Sequence, residues 1–226
     1  MSRIFFFVIF GLGGAGILIS LGTWQVQRLA WKQGLLAEIE ARATASPRAL
    51  TPELVADADN RYSPVKASGV FLEGHLRVLA SRKTIGPVYR IIRPFQSNSI
   101  GKILVDTGWQ RTADAVAPAP MDRVQIKGNL DRPQEIDQFT PDPDVIDNVW
   151  FARDVDAMAQ TLGVDPVLMV LSEAPQVGLG VTPWPVETGN IPNNHLQYAI
   201  TWFSLAAIWL AMTAYFLTRG RRAKTE

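Results

Sequence analysis

Apolar positions gather into two uncharged runs near the ends of the chain. Between Arg3 and Arg28 no residue is charged, and between Glu187 and Arg219 the only ionisable groups besides tyrosine hydroxyls belong to His195. About 20 apolar residues cross a ~30 Å hydrocarbon core as a helix. Residues 4–23 and 196–217 both reach that length, and Gln197, Thr201, Ser204 and Thr213 are too few to forbid insertion. A cleaved signal peptide has a shorter apolar core followed by a small-x-small site. The first run instead leads into Gly22-Thr23-Trp24-Gln25, so a retained anchor is expected.

Between the runs the period changes twice. Leu29, Leu35, Leu36 and Ile39 keep helical spacing, which predicts a helix over 24–42 that emerges from the membrane and stops near Pro47. A short helix is expected within 50–59, opening at Thr51-Pro52. Short apolar or alternating segments bounded by glycine and proline then predict antiparallel strands at 65–71, 75–81, 89–95, 102–108 and 124–130. A helix over 154–162 closed by Gly163, a strand at 167–171 and a loop over 178–193 complete the pattern. The expected class is a membrane-anchored α+β protein, with two transmembrane helices flanking one β-rich extracytoplasmic domain that carries a few short helices. Its parts are a first transmembrane helix (4–23), the domain (24–195), a second transmembrane helix (196–217) and a basic tail (218–226).

Charge orients this arrangement. Arg219, Arg221, Arg222 and Lys224 lie just beyond the second run and mark the cytoplasmic side, with Arg3 in support and Arg28 and Lys32 mildly opposed. Both termini are then cytoplasmic, and residues 25–195 face the periplasm or an equivalent compartment. Residues 25–195 hold 17 Lys and Arg against 20 Asp and Glu, which is no nucleic-acid signature. The chain has no cysteine, so disulfides, thiolate metal sites and covalent haem attachment through Cys-x-x-Cys-His are excluded. Two histidines cannot furnish a multi-histidine zinc site.

Candidate chemistry is confined to Asn193-Asn194-His195-Leu196-Gln197-Tyr198, where the second apolar run begins. His195, Tyr198 and Trp202 fall on one helical face at the membrane–water boundary. Two readings fit these residues alone. A neutral imidazole there can ligate haem iron while the aromatic rings pack on the porphyrin, or the histidine can sit hydrogen-bonded in an aromatic belt. Arg28, at the same boundary after the first run, is a weaker candidate for a haem propionate, since a guanidinium suits a carboxylate; alternatively it anchors the helix at the headgroups. His75 reads as a solvated or hydrogen-bonded strand residue, and Trp24, Trp31 and Trp184 as interface anchors or core. Gly11/Ala15 and Gly16/Ser20 are small pairs four apart that allow another helix close. Asp142, Asp144 and Asp147 lack the glycine and terminal glutamate of a calcium loop. No Gly-x-Ser-x-Gly, phosphate loop or His-Glu-x-x-His occurs, so no enzyme is expected.

Several segments, in order, resemble the surfeit locus protein one family of cytochrome c oxidase assembly factors, in its bacterial form. They are Leu21-Gly-Thr-Trp24-Gln25-Val-Gln-Arg28-Leu-Ala-Trp31-Lys32, Arg93-Pro94-Phe95, Ile103-Leu-Val105-Asp106 with Gly108-Trp109, Asn148-Val-Trp150-Phe151-Ala-Arg153-Asp154, and the block 193–203. Thr107 replaces a basic residue before the Gly-Trp pair, Gln110-Arg111 replace the Val-Pro after it, and Gly86-Pro-Val-Tyr89 replaces a Pro-Gly-Tyr turn. The resemblance implies a non-enzymatic protein that binds haem a, with His195 as an iron ligand, and aids its insertion into oxidase subunit I or its retention there. Subunit I, haem a synthase and the lipid bilayer are its implied partners. A scaffold that stabilises oxidase intermediates without a cofactor is the alternative, and a membrane-anchored periplasmic enzyme is a third.

Overall fold

The computed structural model describes residues 3–175, 178–187 and 192–222. In chain order the elements are α1 (Arg3–Ala43), β1 (Arg48–Ala49), α2 (Pro52–Ala56), a 3-10 turn (Ala58–Asn60), β2 (Pro64–Phe71), β3 (Leu76–Arg82), β4 (Gly86–Ser97), β5 (Gly101–Arg111), β6 (Val124–Asp131), β7 (Val149–Trp150), α3 (Val155–Leu162), β8 (Leu168–Leu171) and α4 (His195–Arg222). They fall into two compact units, residues 39–187 and the two chain ends.

The end unit is a pair of helices. Both are long and apolar enough to cross a membrane, which fits a membrane-anchored protein. On α1 the covered positions include Gly11, Ala15, Leu18, Gly22 and Gln25; on α4 they include His195, Ala199, Trp202, Ala206 and Trp209. Alternate steps of four and three are the seam of a left-handed helix pair, with ridges of one helix in grooves of the other. The contacts run antiparallel: Gly11 faces Thr213, Gly14 faces Trp209, Gly22 faces Phe203 and Gln25 meets His195. A Cβ on Gly14 would stand 2.6 Å from the Trp209 ring, so glycine sets the close approach. The Trp209 indole N–H donates to the Gly11 carbonyl at 3.0 Å. Of the two small-residue pairs expected at an interface, Gly11/Ala15 lies on the seam. Gly16/Ser20 does not: both are exposed, and nothing approaches Gly16. The seam's 3.5-residue period selects the first pair and passes the second by.

In the larger unit the strands close on themselves. The pairings β2–β6, β6–β8, β8–β5, β5–β4 and β4–β2 form a five-stranded barrel, with β3 and β7 continuing the sheet beyond β4 and β1 beyond β2. Closure needs β2 to pair with two partners, and Gly69 lies where it does so; a Cβ there would strike the Gln96 carbonyl. Side chains alternate through the barrel wall as a pleated strand requires. Ile103, Val105, Met169 and Leu171 point inward with Val65, Phe71, Phe95 and Ile126, while Leu104, Leu168 and Val170 face outward under Trp150 and the Met158–Ala159 face of α3.

The expected strands are present, but the sheet is not purely antiparallel: β1–β2, β3–β7 and β5–β8 pair in parallel. The two-residue strands β1 and β7 carry no readable period and were not foreseen. The helix expected over 24–42 is continuous with the first apolar run. The one expected within 50–59 divides at Asp57, whose extended backbone ends α2 and whose carboxylate accepts from the Asp59 N–H at 2.9 Å.

Candidate functional site

Gln25, on the seam of α1, is buried, and its amide oxygen lies 2.7 Å from Nδ1 of His195 at the start of α4. That oxygen can only accept, so Nδ1 carries the ring proton; in the neutral ring Nε2 then keeps its lone pair. Among the described residues Nε2 has no hydrogen-bond partner. Metal-ligating histidines are commonly held this way, the second nitrogen donating to an oxygen that fixes tautomer and ring plane. The half-buried Asn193 places its Oδ1 in a buried position with no partner. The Lys32 ammonium donates to the Pro192 carbonyl at 2.5 Å and ties the residues before α4 to α1.

The expected site residues are brought together unequally. Tyr198 (exposed) and Trp202 (half-buried) share the His195 face of α4, one and two turns further along. Arg28 is exposed one turn beyond Gln25, with its guanidinium 3.9 Å from the Trp31 ring centroid on its own helix. Among the described residues it makes no hydrogen bond or ion pair with the other three. Gln25, the residue that orients His195, was not singled out from the sequence. It stands inside the motif block 21–32, but a glutamine in an apolar run carries no signal until its partner is known.

The second polar constellation belongs to the barrel unit. Asp106 of β5 is fully buried and lies 2.6 Å from the Arg90 guanidinium and 3.7 Å from that of Arg153. Arg153 also reaches Asp131 at 3.2 Å and Glu135 at 2.5 Å, and Arg61 pairs with Asp131 at 3.1 Å. Burial pushes the Asp106 carboxyl up, against the pull of Arg90 and Arg153. For Glu135 burial acts upward too, but the hydrogen bonds and charge of Arg153 hold it below the ordinary carboxylate range. Arg90 also donates to the Trp184 carbonyl at 3.2 Å, and the Trp184 ring packs against Arg82 and Arg90 at 4.9 and 4.5 Å. Three strands and the segments around 135, 153 and 184 are thereby joined through charge. The network is stapled rather than open, and it offers no empty coordination position.

His75 is half-buried before β3, and burial, reinforced by Arg93 and Arg77, lowers its pKa. Among the described residues no three His, Asp or Glu side chains converge as a metal site. Asp144 instead accepts from the N–H groups of Ile146 and Asp147 at 3.1 and 3.0 Å, as a solvated turn does.

Residues 13–207 match the family model described as the SURF1 family. Among curated proteins, the chain is 31% identical over 210 residues to the Surfeit locus protein 1 of Homo sapiens, covering 83% of this chain and 69% of that one. It is 30% identical over 211 residues to the Xenopus tropicalis protein of the same name, covering 83% and 68%. A SURF1-like protein of Rickettsia conorii is 30% identical over 200 residues, covering 84% and 82%.

Proposed function

This chain belongs to the SURF1 family, and on that premise we propose that it is a membrane-anchored assembly factor for cytochrome c oxidase that binds haem a and aids its insertion into, or retention by, subunit I. The observation that carries the haem reading is the Gln25–His195 pair, which leaves Nε2 unpartnered beside a helix face bearing Tyr198 and Trp202. The residues fit the group. His195 would supply a nitrogen ligand to the iron, Tyr198 and Trp202 would pack on the macrocycle, and Arg28 would pair with a propionate once it leaves Trp31. Iron redox chemistry would belong to the haem; the protein binds, orients and releases it without acting as an enzyme. Haem a synthase is the natural donor and oxidase subunit I the acceptor. In the bacterial inner membrane the basic tail would place both termini in the cytoplasm and the barrel unit in the periplasm.

The test is to co-express the full chain with haem a synthase, purify it and record its absorption. A Soret band that His195→Ala abolishes or shifts, at unchanged expression and membrane insertion, supports the reading. A His195→Ala protein with an unaltered haem a spectrum removes the ligand assignment. The cofactor-free scaffold is a second reading, favoured by apolar tips held out on ordered turns: Ile146 is 96% and Phe139 80% exposed. Absence of any haem alongside co-purification with subunit I would select it.

A further inference from the structure

The helix face that begins at His195 does not end at Trp202. It continues through Leu205, Trp209 and Met212 at alternate steps of three and four, so one stripe runs along α4. At its far end lies a groove of about 410 Å³ whose walls include Gly14, Ile17, Leu205, Ile208, Trp209 and Met212. The volume is within the ~300–1,000 Å³ of small-ligand sites. At ~1.5 Å rise per residue, Leu205 and Met212 stand about 15 and 26 Å from His195 along the helix.

Two features shape this groove. Its floor is preset: Gly14 lets the Trp209 indole lie against α1, its N–H bonded to Gly11 and its ring tilted on Phe10 at 5.3 Å between centroids. Its side is open, since Ile17, Ile208 and Met212 are more than half exposed. Apart from the Trp209 N–H, which is already bonded, the side chains that form it carry no hydrogen-bonding group, so it suits a hydrocarbon chain and no polar ligand. A ligand that uses both ends of the stripe has a metal or polar head at the membrane boundary and a long apolar tail towards the bilayer interior.

Resting on the haem reading above, we propose that this groove seats the isoprenoid tail of haem a and makes the protein selective for prenylated over unprenylated haem. The bilayer is itself apolar, so moving the tail from lipid into the groove gains packing rather than hydrophobic transfer. The expected preference is therefore modest, about tenfold, or about 1.4 kcal/mol.

The full-length protein in phosphatidylcholine nanodiscs is titrated with haem a, haem o and haem b, following the Soret difference spectrum. Haem o shares the tail and lacks the formyl group; haem b lacks both. Haem o, which differs from haem b by the tail, should bind about tenfold more tightly than haem b. Leu205→Trp and Ile208→Trp, which fill the groove from its lipid side, should abolish that preference. Retained haem b affinity in these variants shows that the helix pair and His195 are intact. Equal binding of all three haems, or a preference that survives both substitutions, overturns the proposal and leaves the groove to lipid chains. Haem o binding no more tightly than haem b, with haem a above both, assigns selectivity to the formyl group and overturns it too. If none of the three binds, the haem reading itself has failed.

Discussion

The amide oxygen of Gln25 accepts from Nδ1 of His195 across 2.7 Å, so one helix sets the tautomer of a ring that the other helix presents. Outer partners of this kind alter ligand affinity by ~10–100-fold when lost. Gln25→Leu should accordingly weaken haem a binding by roughly that factor while His195 still ligates the iron. Gln25→Glu retains an acceptor for Nδ1–H, makes the imidazole a stronger donor, and should restore most of the affinity with a shifted Soret maximum. Equal loss in both variants would mean that Gln25 only packs the seam.

Arg28 presents a different case, because its guanidinium is already occupied by the Trp31 face at 3.9 Å. Such an exposed contact is worth about 0.5–1 kcal/mol, less than a charge-assisted bond to a carboxylate would return. Arg28→Ala should therefore speed haem release while leaving the iron coordination spectrum unchanged. A changed spectrum would place Arg28 closer to the iron than its helix position allows.

Most of this architecture is legible in the sequence where a period is long enough to read. The two apolar helices declare themselves by length, and β2 to β6 by alternation and glycine punctuation. What escapes the sequence is pairing between distant segments. Barrel closure through β2–β4, the parallel β5–β8 pairing and the two-residue strands depend on register, which a strand of two residues cannot encode. The charge network is illegible for the same reason: Arg90, Asp106, Asp131, Glu135 and Arg153 lie on separate segments and read as ordinary surface charges. At the candidate site the histidine was legible from its boundary position and Gln25 was not. Only the seam shows that Gln25 faces inward.

Topology gives an independent check on the arrangement. The tail places four basic residues, Arg219, Arg221, Arg222 and Lys224, just past the second apolar run, and each charge near an anionic cytoplasmic surface is worth about 1 kcal/mol. A periplasm-dependent phosphatase fused after Glu226 should be silent, and the same reporter inserted at exposed Met121 should be active. Replacing all four basic residues by Ser should weaken this bias. Activity at the C-terminal fusion would invert the assignment.

His75 supplies a pH signature for the barrel unit. Burial, with help from Arg93 and Arg77, lowers its pKa, so the folded state binds the proton less readily than the unfolded chain. Stability is then full above the unfolded pKa of about 6.5 and falls as acidification charges the unfolded histidine first. Chemical denaturation midpoints of the full chain should drop between about pH 7.5 and 5.5, and His75→Gln should flatten that limb. A wild-type midpoint that rises over the same interval would contradict the direction.

Arg153 is the hub of the buried charges, with Asp106, Asp131 and Glu135 all within ion-pair distance and its own side chain only 12% exposed. Removing one partner of a buried pair costs about 3–5 kcal/mol, because the charges left behind have lost both water and counter-ion. Arg153→Met, which fills the same space, should therefore destabilise the barrel unit by about that amount. Glu135 would lose the group that holds its carboxyl low, so the acid limb below about pH 4.5 should flatten as well. Asp106 retains Arg90 at 2.6 Å, so adding Asp131→Asn to Arg153→Met should recover part of the loss by removing a carboxylate left partly uncompensated. The measurement is a denaturant titration of wild type, single and double variants in detergent, with slopes compared to confirm that the same surface unfolds. If Arg153→Met is neutral, the charges repay their desolvation among themselves and Arg153 is not their hub. If the double variant is less stable than the single, Asp131 is held chiefly by Arg61, which pairs with it at 3.1 Å from the residue before Tyr62.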